Sequence, residues 1–450
     1  MIKKNFFQLI LLLGDVVLMY GALFLALAFR YGDFSVFPGP QSREFFVHFA
    51  FIHIFWLMFL YAFDFYRLPQ KKGLGPLARN LPLFMLFAFF SGAAYFYFNA
   101  HSLIAPKTIL LADVVLFSAF LFCRIWAAQK IFAGKRFERR IAVAGWTPEM
   151  EKLARDYLPG ANFRVAAVYQ KNYLPGLEKA RIFNWQDDFI RAIDEMGIEV
   201  LVIAALPRDR DRFSSLIDAV GERMKIRIIG QDKFYEEIAG KVPLGAIDSL
   251  WVAESLSRTD SQNYVIAKRL FDVAFSLVMV AITAIIFLPT ALAIKIDSPG
   301  PVFYVQRRKG KNGKIFSFYK FRTMTAAKNQ HSVWRANNEE QITRVGRFLR
   351  KTHIDEFPQF FNILRGELSV VGPRPEWDKL AVDFEQKIPF YRYRYLVKPG
   401  FTGWAQINYK ASASVKEAAE KYEYDLYYIK NRSFWTDIAI VLKTLQLFFR

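Results

Sequence analysis

Four long apolar segments open this chain. They run roughly over residues 6–29, 45–65, 81–98 and 108–131. Each is close to the ~20 residues that a helix needs to cross a bilayer. No small-residue cleavage site follows the first segment, so we expect it to be retained rather than removed as a signal peptide. The sequence therefore predicts a four-helix transmembrane bundle over residues 1–137.

Lysine and arginine residues alternate with these segments. Basic residues precede the first segment, fill the second loop and follow the fourth segment: Lys3, Lys4, Arg67, Lys71, Lys72, Arg79, Lys130, Lys135, Arg136, Arg139 and Arg140. Because basic loops stay on the cytoplasmic side, both ends of the bundle are predicted to face the cytoplasm. Asp15, Asp113 and Arg124 lie within apolar segments, and we expect them to pair between helices near the ends of the spans.

The composition indicates a protein that is part membrane and part soluble. Of the 450 residues, 53% are hydrophobic and 23% are still charged. The net charge of +20 favours anionic partners, which include nucleic acid, anionic lipid and phosphorylated substrates. The single cysteine, Cys123, cannot form an intramolecular disulfide, which fits a cytoplasmic soluble portion.

A different pattern follows, over residues 138–255. Short apolar runs at 141–144, 165–168, 200–204 and 226–229 alternate with charged, helix-like stretches, which predicts a βαβ, Rossmann-like domain. The turn after the first run reads Gly145-Trp146-Thr147-Pro148, with one glycine where a pyrophosphate needs several. The pattern favours a structural or regulatory module without a cofactor over a dinucleotide-binding domain.

A fifth apolar run covers residues 271–294. A full crossing would leave the basic segment after it, Arg307, Arg308, Lys309, Lys311 and Lys314, on the outer side, against the usual charge bias. Pro289 removes a helical hydrogen bond and bends the chain, so we predict a re-entrant helix over about residues 268–295. A kinked fifth span is the alternative.

The residues after this run carry most of the candidate chemistry. A turn at residues 297–301 leads into a predicted strand at 302–305, and a second strand is predicted over 315–323 with Lys320 and Arg322. The basic side chains suit phosphate groups. They equally suit a solvated face beside anionic lipid, and Lys320 can also extend along the membrane surface.

The Asp355-Glu356 pair is the sharpest local signal. Pro358 is tolerated in the first turn of a helix, so Asp355 is predicted as the N-cap and both carboxylates as lying at a helix N-terminus. Such a place suits an acid beside an anionic substrate and Mg²⁺. Phe357, Phe360, Phe361 and Leu364 form an apolar stripe. A plain cap on a core-facing helix explains the same pattern, but Arg374, held between two prolines, favours a phosphate site.

Taken in order, these motifs resemble a known family, the bacterial polyprenyl-phosphate phosphoglycosyl transferases of the monotopic superfamily. The resemblance spans about residue 268 to the C-terminus. It rests on Lys268-Arg269-Leu270-Phe271-Asp272, Pro289, Ser298-Pro299-Gly300-Pro301-Val302, Tyr319-Lys320-Phe321-Arg322-Thr323-Met324, Asp355-Glu356, Gly372-Pro373-Arg374-Pro375 and Lys398-Pro399-Gly400-Phe401-Thr402-Gly403-Trp404-Ala405-Gln406. The two parts ahead of it resemble the large members, of the undecaprenyl-phosphate galactose or glucose phosphotransferase kind. The family often has Ser-Pro at the helix break, where this chain has Leu288-Pro289.

The resemblance implies a catalytic mechanism. Asp355 would attack the sugar-bearing phosphate of a UDP-hexose and release UMP, and undecaprenyl phosphate would then take the phosphosugar. Glu356 would act as a base or help Asp355 to organise Mg²⁺. Substrate phosphate would be bound by Lys320, Arg322, Arg374 and Gln406. The re-entrant helix would be anchored by Lys268, Arg269, Asp272 and Pro289.

The resemblance also implies a setting. Residues 256–450 would form a monotopic α/β catalytic domain on the cytoplasmic face of the bacterial inner membrane, at the start of exopolysaccharide, capsule or O-antigen synthesis. Residues 422–428 and 434–449 resemble interfacial helices. The βαβ domain and the bundle offer surfaces for a homodimer.

Two other classes of protein remain open from the sequence. A membrane glycosyltransferase would release UDP instead of UMP, and a non-catalytic scaffold or sensor of polysaccharide assembly would need no acidic pair. Nucleic-acid binding is disfavoured because the basic residues flank apolar segments. Spacing does not identify the hexose, for which glucose and galactose are the leading candidates.

Overall fold

The structure is a computed structural model. It describes residues 2–32, 40–63, 65–66, 75–99, 107–132, 139–161, 163–169, 180–183, 186–204, 218, 220–221, 226–256, 260–325, 341–409 and 414–448. The chain divides into two compact units, Met1–Glu138 and Arg139–Arg450. The three-domain division with boundaries at residues 137 and 255 stays a prediction.

The first unit contains four long helices, α1 (Ile2–Tyr31), α2 (Pro40–Ala62), α3 (Gly75–Phe98) and α4 (Lys107–Phe132). They coincide with the four predicted apolar segments. Helix α4 packs against α1 and α3, and α2 packs against α1 and α3. All four are long and apolar enough to cross a membrane, as is a fifth described helix, Gln262–Asp297, in the second unit.

The first unit has polar pairs inside and apolar side chains outside. Arg124 Nε lies 2.8 Å from Asp15 Oδ1, and His53 Nε2 lies 3.0 Å from Asp113 Oδ2. Both carboxylates are fully buried, whereas Val17 and many other large apolar side chains are exposed. This arrangement suits a lipid environment, where ionisable groups pair within the protein. The predicted interhelical pairing of Asp15, Asp113 and Arg124 is confirmed.

The second unit begins with a five-stranded parallel sheet in the order β3-β2-β1-β4-β5. Its strands are β1 (Arg139–Ala144), β2 (Phe163–Tyr169), β3 (Arg181–Phe183), β4 (Val200–Ile203) and β5 (Arg227–Gly230). Helices α5 (Pro148–Asp156) and α7 (Gln231–Ala239) contribute to the core on one face, and α6 (Gln186–Glu195) to the core on the other. The predicted βαβ fold is confirmed. Trp146 packs against the first of these cores, beside the single-glycine turn.

This sheet module is attached to the rest of the second unit by a buried lysine. Lys241 follows α7, is fully buried, and lies 2.7 Å from Glu420 Oε1 and 3.0 Å from Glu423 Oε2. Both glutamates belong to helix α14 (Val415–Asn431). Nearby, Trp404 Nε1 donates a 2.7 Å hydrogen bond to the carbonyl oxygen of Gly240. These contacts fix the module against the C-terminal region.

Helix α8 (Ser249–Leu256) leads to α9 (Gln262–Asp297), a continuous 36-residue helix with Pro289 inside it. Leu270, Ile285 and Leu288 are among its many exposed apolar side chains. Asp272, near its start, accepts hydrogen bonds from Ser369 Oγ at 3.0 Å and from the Val370 amide at 2.9 Å. Together, the five long apolar helices and the five-stranded sheet make the protein a largely helical membrane protein that also carries a parallel sheet.

The remaining elements form a mixed α/β body. They are β6 (Phe303–Lys309), β7 (Ile315–Phe321), α10 (Arg344–Thr352), α11 (Gln359–Arg365), β8 (Ser369–Val371), α12 (Asp378–Lys387), β9 (Gly400–Thr402), α13 (Trp404–Asn408), α14 and α15 (Phe434–Phe448). The predicted strands at 302–305 and 315–323 are confirmed as an antiparallel hairpin of β6 and β7. Strands β8 and β9 pair in parallel.

The position of the tyrosines on α14 differs from the prediction. Tyr422, Tyr424 and Tyr428 are buried in the protein rather than placed at a membrane surface. Tyr428 donates a 2.8 Å hydrogen bond to Asp437 Oδ1. Sequence alone did not reveal this because a tyrosine satisfies its hydroxyl equally well at a headgroup and at a buried carboxylate.

Candidate functional site

One face of the β6–β7 hairpin supplies two cations to the site. Phe316, Phe318 and Lys320 alternate along β7, and Arg308 on β6 pairs with Phe316, so all four share a face. The Arg308 guanidinium lies 4.2 Å from the centre of the Phe318 ring and donates to the Pro375 carbonyl oxygen at 2.5 Å. The aromatic ring and the carbonyl hold this arginine in one orientation.

The acidic pair lies in a tight turn and not at a helix cap. His353 ends α10 in the left-handed conformation, with φ 56°, and residues Ile354–Glu356 form a 3₁₀ turn. The N-cap position of α11 is occupied by Pro358. The prediction that Asp355 is the N-cap is therefore wrong, because this turn separates the pair from the helix.

The prediction of an apolar stripe on α11 is also partly wrong. Phe360 is buried as expected, but Phe361 is 47% exposed. Asn362 and Ile363 are fully buried instead. The helix is short, and hydrogen bonds to the buried Asn362 side chain set which of its faces turns inward.

Glu356 joins two cations from different segments. Its Oε1 lies 2.6 Å from Lys320 Nζ and 2.5 Å from Arg374 Nη2, and its Oε2 lies 3.4 Å from Arg374 Nη1. Although burial opposes ionisation, Arg374 and Lys320 together hold the pKa of Glu356 well below its usual range. Glu356 is therefore a permanent counter-ion whose oxygens are already engaged.

Asp355 differs sharply from its neighbour. It is buried, and its Oδ2 lies 3.8 Å from Lys320 Nζ. Burial raises the pKa of Asp355, and Lys320 opposes that rise. Within the described ranges, no group donates a hydrogen bond to its carboxylate. Asp355 is thus the carboxylate of the pair whose oxygens are available to a reacting group.

The loop that carries Arg374 is held by close backbone packing. The Gly372 amide donates to the Thr402 carbonyl oxygen at 2.9 Å, and the Gly400 amide to the Pro373 carbonyl oxygen at 2.9 Å. A Cβ at Gly372 would lie 2.4 Å from the Lys398 carbonyl oxygen, so glycine is required there. This packing explains why two motifs far apart in the sequence, at 372–375 and 398–406, act as one support for Arg374.

Three cations lie close together at the site. Burial, reinforced by Arg374, lowers the pKa of Arg308 to about 10. Burial likewise lowers the pKa of Lys320 to about 8, although Glu356 favours its charged form. Among the described residues, Lys320, Arg374 and Arg308 therefore cluster around Glu356 in a largely buried place, with Glu376 as a further counter-ion of the two arginines. Such a cluster of cations suits an anionic ligand.

A second ionic network behind Arg374 was missed by the sequence analysis. Arg394 Nη2 lies 2.8 Å from Asp425 Oδ2, and Lys421 Nζ lies 2.7 Å from Glu376 Oε1. Arg394 also donates to the Arg374 carbonyl oxygen at 3.0 Å. Burial alone would raise the pKa of Glu376. Lys421 and Arg394 together outweigh this effect and hold the pKa at about 2. The one sequence feature that could have indicated this network is the position of Glu376, directly after the Gly-Pro-Arg-Pro run.

Two predicted phosphate ligands lie apart from the acidic pair. Arg322 donates to the carbonyl oxygens of Pro299 at 2.7 Å and Ser298 at 2.6 Å, at the C-terminal end of α9. Gln406 Nε2 donates to the Phe401 carbonyl oxygen at 2.9 Å. Their side chains therefore support the backbone, and of the predicted set only Lys320 and Arg374 meet at the carboxylates.

The residues predicted to anchor α9 contact the α/β body. Lys268 Nζ lies 2.7 Å from Asp437 Oδ2 and donates to the Val371 carbonyl oxygen at 3.0 Å. Arg269 donates to the carbonyl oxygens of Ile363 and Leu364 at 2.8 and 2.7 Å, at the end of α11. With Asp272, these residues tie the first half of α9 to the segments that carry the site, whereas Pro289 lies further along, inside the helix.

Comparison with known proteins identifies the family. Residues 263–450 match the family described as bacterial sugar transferase. Over 320 residues, the chain is 33% identical to a UDP-glucose:undecaprenyl-phosphate glucose-1-phosphate transferase of Klebsiella pneumoniae, covering 68% of this chain and 67% of that protein. The chain belongs to the bacterial sugar transferase family. The resemblance predicted from the motifs is thereby confirmed.

Other members of the bacterial sugar transferase family match shorter parts. A UDP-N-acetylgalactosamine-undecaprenyl-phosphate N-acetylgalactosaminephosphotransferase of Aeromonas hydrophila is 41% identical over 212 residues, 47% of this chain and 49% of that protein. An exopolysaccharide production protein of Rhizobium leguminosarum is 38% identical over 186 residues, 40% of this chain and 93% of that protein. The chain thus spans about half the length of the first of these relatives. The predicted enzyme class, a phosphotransferase, agrees with the names of the transferase relatives.

Of the two carboxylates at the site, Asp355 is the one that fits a Mg²⁺ ion. In the described part of the chain no group of three or more His, Cys, Asp or Glu side chains could hold a metal. Glu356 already contacts two cations, and their repulsion disfavours a metal there. Asp355 contacts one cation, Lys320, at 3.8 Å and accepts no hydrogen bond from the described residues, and Mg²⁺ is commonly held by one or two carboxylates together with substrate phosphates and water.

The pKa of Lys320 predicts an alkaline limb in the pH profile. Lys320 is charged below about pH 8 and neutral above it, so its attraction for phosphate is lost as pH rises through that value. We expect kcat/KM for the sugar-nucleotide donor to fall above about pH 8. The limb in kcat should lie at higher pH, because bound phosphate stabilises the ammonium group.

The matched variant for this test is Lys320→Arg, which stays charged over the whole range. Steady-state rates measured between pH 6 and 10 should show the limb moved upward in this variant. An unchanged limb near pH 8 in Lys320→Arg would assign it to another group.

Proposed function

We propose that this protein transfers a sugar-1-phosphate from a UDP-hexose to undecaprenyl phosphate through a covalent Asp355 intermediate, with release of UMP. One observation carries the proposal: the Asp355 carboxylate, to which no described group donates a hydrogen bond, lies 3.8 Å from Lys320 in a group of three cations. The names of the relatives support the donor and acceptor classes.

The first step would be attack by an Asp355 carboxylate oxygen on the phosphorus that bears the sugar. A bond forms between that oxygen and this phosphorus, and the bridging P–O bond to the uridylate phosphate breaks. UMP leaves with the bonding electron pair. The products are UMP and an acyl phosphate that joins Asp355 to the sugar phosphate.

The second step would return the enzyme to its starting state. A phosphate oxygen of undecaprenyl phosphate attacks the same phosphorus, and the bond from phosphorus to the Asp355 oxygen breaks. The carboxylate is regenerated and the lipid carries a diphosphate-linked sugar. Both substrates thus use one carboxylate and one set of cations in turn, which suits a single compact site.

The cations would position and neutralise the phosphates. Lys320 is nearest to Asp355 and would contact the transferring phosphoryl group, while Arg374 and Arg308 would balance charge on the adjoining phosphate. Glu356, with its low pKa, is a poor base at neutral pH. Of the two roles expected for Glu356, the geometry favours the one that organises its neighbours, here as the counter-ion that holds the cations.

The donor nucleotide has room beside this group. A cavity of about 360 Å³ is lined by Lys309, Asn312, Gly313, Glu385, Arg392, Tyr395 and Leu396. Lys309 and Tyr395 also line a smaller cleft beside Arg374. We place the uridine part of the donor there. Mg²⁺, held by Asp355 and substrate phosphates, would neutralise charge on the diphosphate.

We also infer that α9 enters and leaves the bilayer on one face. Asp272 near its start binds β8 residues, and Asp297 at its end accepts a 2.9 Å hydrogen bond from the Val345 amide. Between them, Phe287 stacks on Phe303 with ring centres 5.8 Å apart. Both ends are thus attached to one α/β body, which supports a re-entrant helix over a spanning one.

The proposed setting is the cytoplasmic face of the bacterial inner membrane. The exposed apolar side chains of α9 and the basic loops next to the predicted spans support it. The reaction would begin synthesis of an exopolysaccharide, capsule or O-antigen, and the Rhizobium relative's name supports the first of these.

Nucleotide release distinguishes this function from the alternatives. Purified protein given Mg²⁺, undecaprenyl phosphate and a panel of UDP-sugars should release UMP with one of them. Asp355→Asn should release none, because the amide is a far weaker nucleophile. The matched control is Asp383→Asn, a partly exposed carboxylate on α12 that pairs with Lys387, and it should keep wild-type activity. Release of UDP would indicate a glycosyltransferase, and no release by wild type would favour a scaffold.

Cysteine labelling tests the course of α9. In a Cys123→Ser background the chain has no cysteine, so Gln262→Cys and Lys295→Cys place one thiol near each end of the helix. A membrane-impermeant maleimide should label both positions in inverted vesicles and neither in intact spheroplasts. Labelling of one end from each side would mean that α9 spans the membrane.

A further inference from the structure

A partly buried lysine without a counter-ion lies beside an arginine near the start of α9. A Cβ placed on Gly366, at the end of α11, would lie 3.4 Å from Lys398 Nζ and 3.9 Å from Arg269 Nη2. Both cationic nitrogens therefore lie within 4 Å of one point. Lys398 is partly buried, and within the described ranges its ammonium group has no hydrogen-bond or ion-pair partner.

The surroundings of Lys398 carry more positive than negative charge. Its ammonium group is repelled by Arg269, Lys311 and Lys268. Asp272 attracts it, but that carboxylate already accepts two hydrogen bonds from β8. Burial, reinforced by the charge of Arg269, lowers the pKa of Lys398. A partly buried cation that is poorly compensated in this way favours a bound anion.

The end of α11 is already satisfied without this lysine. Arg269 donates to the carbonyl oxygens of Ile363 and Leu364. The Gly366 amide also donates to the Ile363 carbonyl oxygen, at 2.9 Å. Because these contacts close the helix, the three donors of Lys398 stay available to a ligand.

Exposed apolar side chains lie next to the two cations. Ile266 and Leu270 are exposed on α9, on either side of Arg269 in the sequence, and Phe361 is exposed on α11. Basic side chains at the start of an apolar membrane helix lie at the level of the lipid headgroups. The anion found at that level is the phosphate group of a lipid.

The position of the two cations favours a bilayer phospholipid over the acceptor. Helix α11 lies between Gly366 and the turn that carries Asp355. Its seven residues extend about 10 Å. A phosphate bound by Lys398 is therefore too far from the Asp355 carboxylate to react with it.

We propose that Lys398 and Arg269 bind the phosphate headgroup of a bilayer phospholipid where α9 enters the membrane. The headgroup neutralises two neighbouring cations and holds the first turns of α9 at the membrane surface. This site is separate from the acidic pair, and it does not depend on the proposed reaction.

The test is equilibrium binding of dioleoylphosphatidylglycerol to full-length protein that has been solubilised in detergent and freed of lipid. Lys398→Gln should raise the Kd about 10-fold, the loss typical of one hydrogen bond to a charged group. Lys398→Arg, which keeps the charge, should recover most of the affinity. Lys233→Gln removes the same charge from an exposed position on α7 and should bind as wild type does. Dioleoylglycerol, which lacks the phosphate, should bind equally to all four proteins.

Four results would overturn the site. One is the same Kd for dioleoylphosphatidylglycerol in wild type and Lys398→Gln. A Kd raised for undecaprenyl phosphate alone would assign the cations to the acceptor, and inorganic phosphate that binds as tightly as the phospholipid would rule out a lipid ligand. A lower melting temperature of lipid-free Lys398→Gln, or failure of both Lys398→Gln and Lys398→Met to fold, would assign Lys398 to the support of α11. Because binding needs no turnover, none of these results depends on UMP release.

Discussion

The carboxylate of Glu356 is the contact on which the site depends. It joins Lys320 from the β6–β7 hairpin to Arg374 from the loop after β8, and it belongs to the turn after α10. These three side chains are partly buried, so removing one partner would leave a poorly solvated, uncompensated charge, and the three segments are thereby fixed together. Because Glu356 occupies the donors of Lys320 and Arg374, Asp355 beside it accepts no hydrogen bond from the described residues and keeps only a 3.8 Å contact with Lys320. Adjacent carboxylates thereby acquire different properties from their surroundings alone.

The membrane-facing part of the second unit is arranged around the same body. Arg269 binds carbonyl oxygens at the end of α11, and α11 follows directly from the acidic turn. Arg322, next to the strand that carries Lys320, binds carbonyl oxygens at the other end of α9. The contacts that hold the two ends of α9 therefore come from the same segments that carry the site. This suits a reaction whose acceptor is a lipid, because its phosphate must meet a buried carboxylate close to an apolar surface.

The sequence predicted the elements whose signal is local. Apolar length identified α1–α4 and α9, and short apolar runs identified β1, β2, β4 and β5. The motifs singled out Asp355, Glu356, Lys320 and Arg374, which the structure brings together. It failed where the answer depends on the conformation of a single backbone residue or on which partner a polar side chain finds. The cap at Asp355 was wrong because a left-handed His353 sets the turn. Arg322 donates to carbonyl oxygens at the end of α9, and Tyr428 donates to the buried Asp437, and the sequence indicated neither of these partners.

The most direct test of this account is peptide mass spectrometry of protein incubated with UDP-sugar in the absence of acceptor. The account predicts a mass increase of one sugar phosphate, less water, on the peptide that contains Asp355, with fragmentation placing it on that residue. Addition of undecaprenyl phosphate should remove the adduct and yield the lipid-linked sugar. An adduct on Glu356, or lipid product formed by a protein that never carries an adduct, would contradict the central role of Asp355.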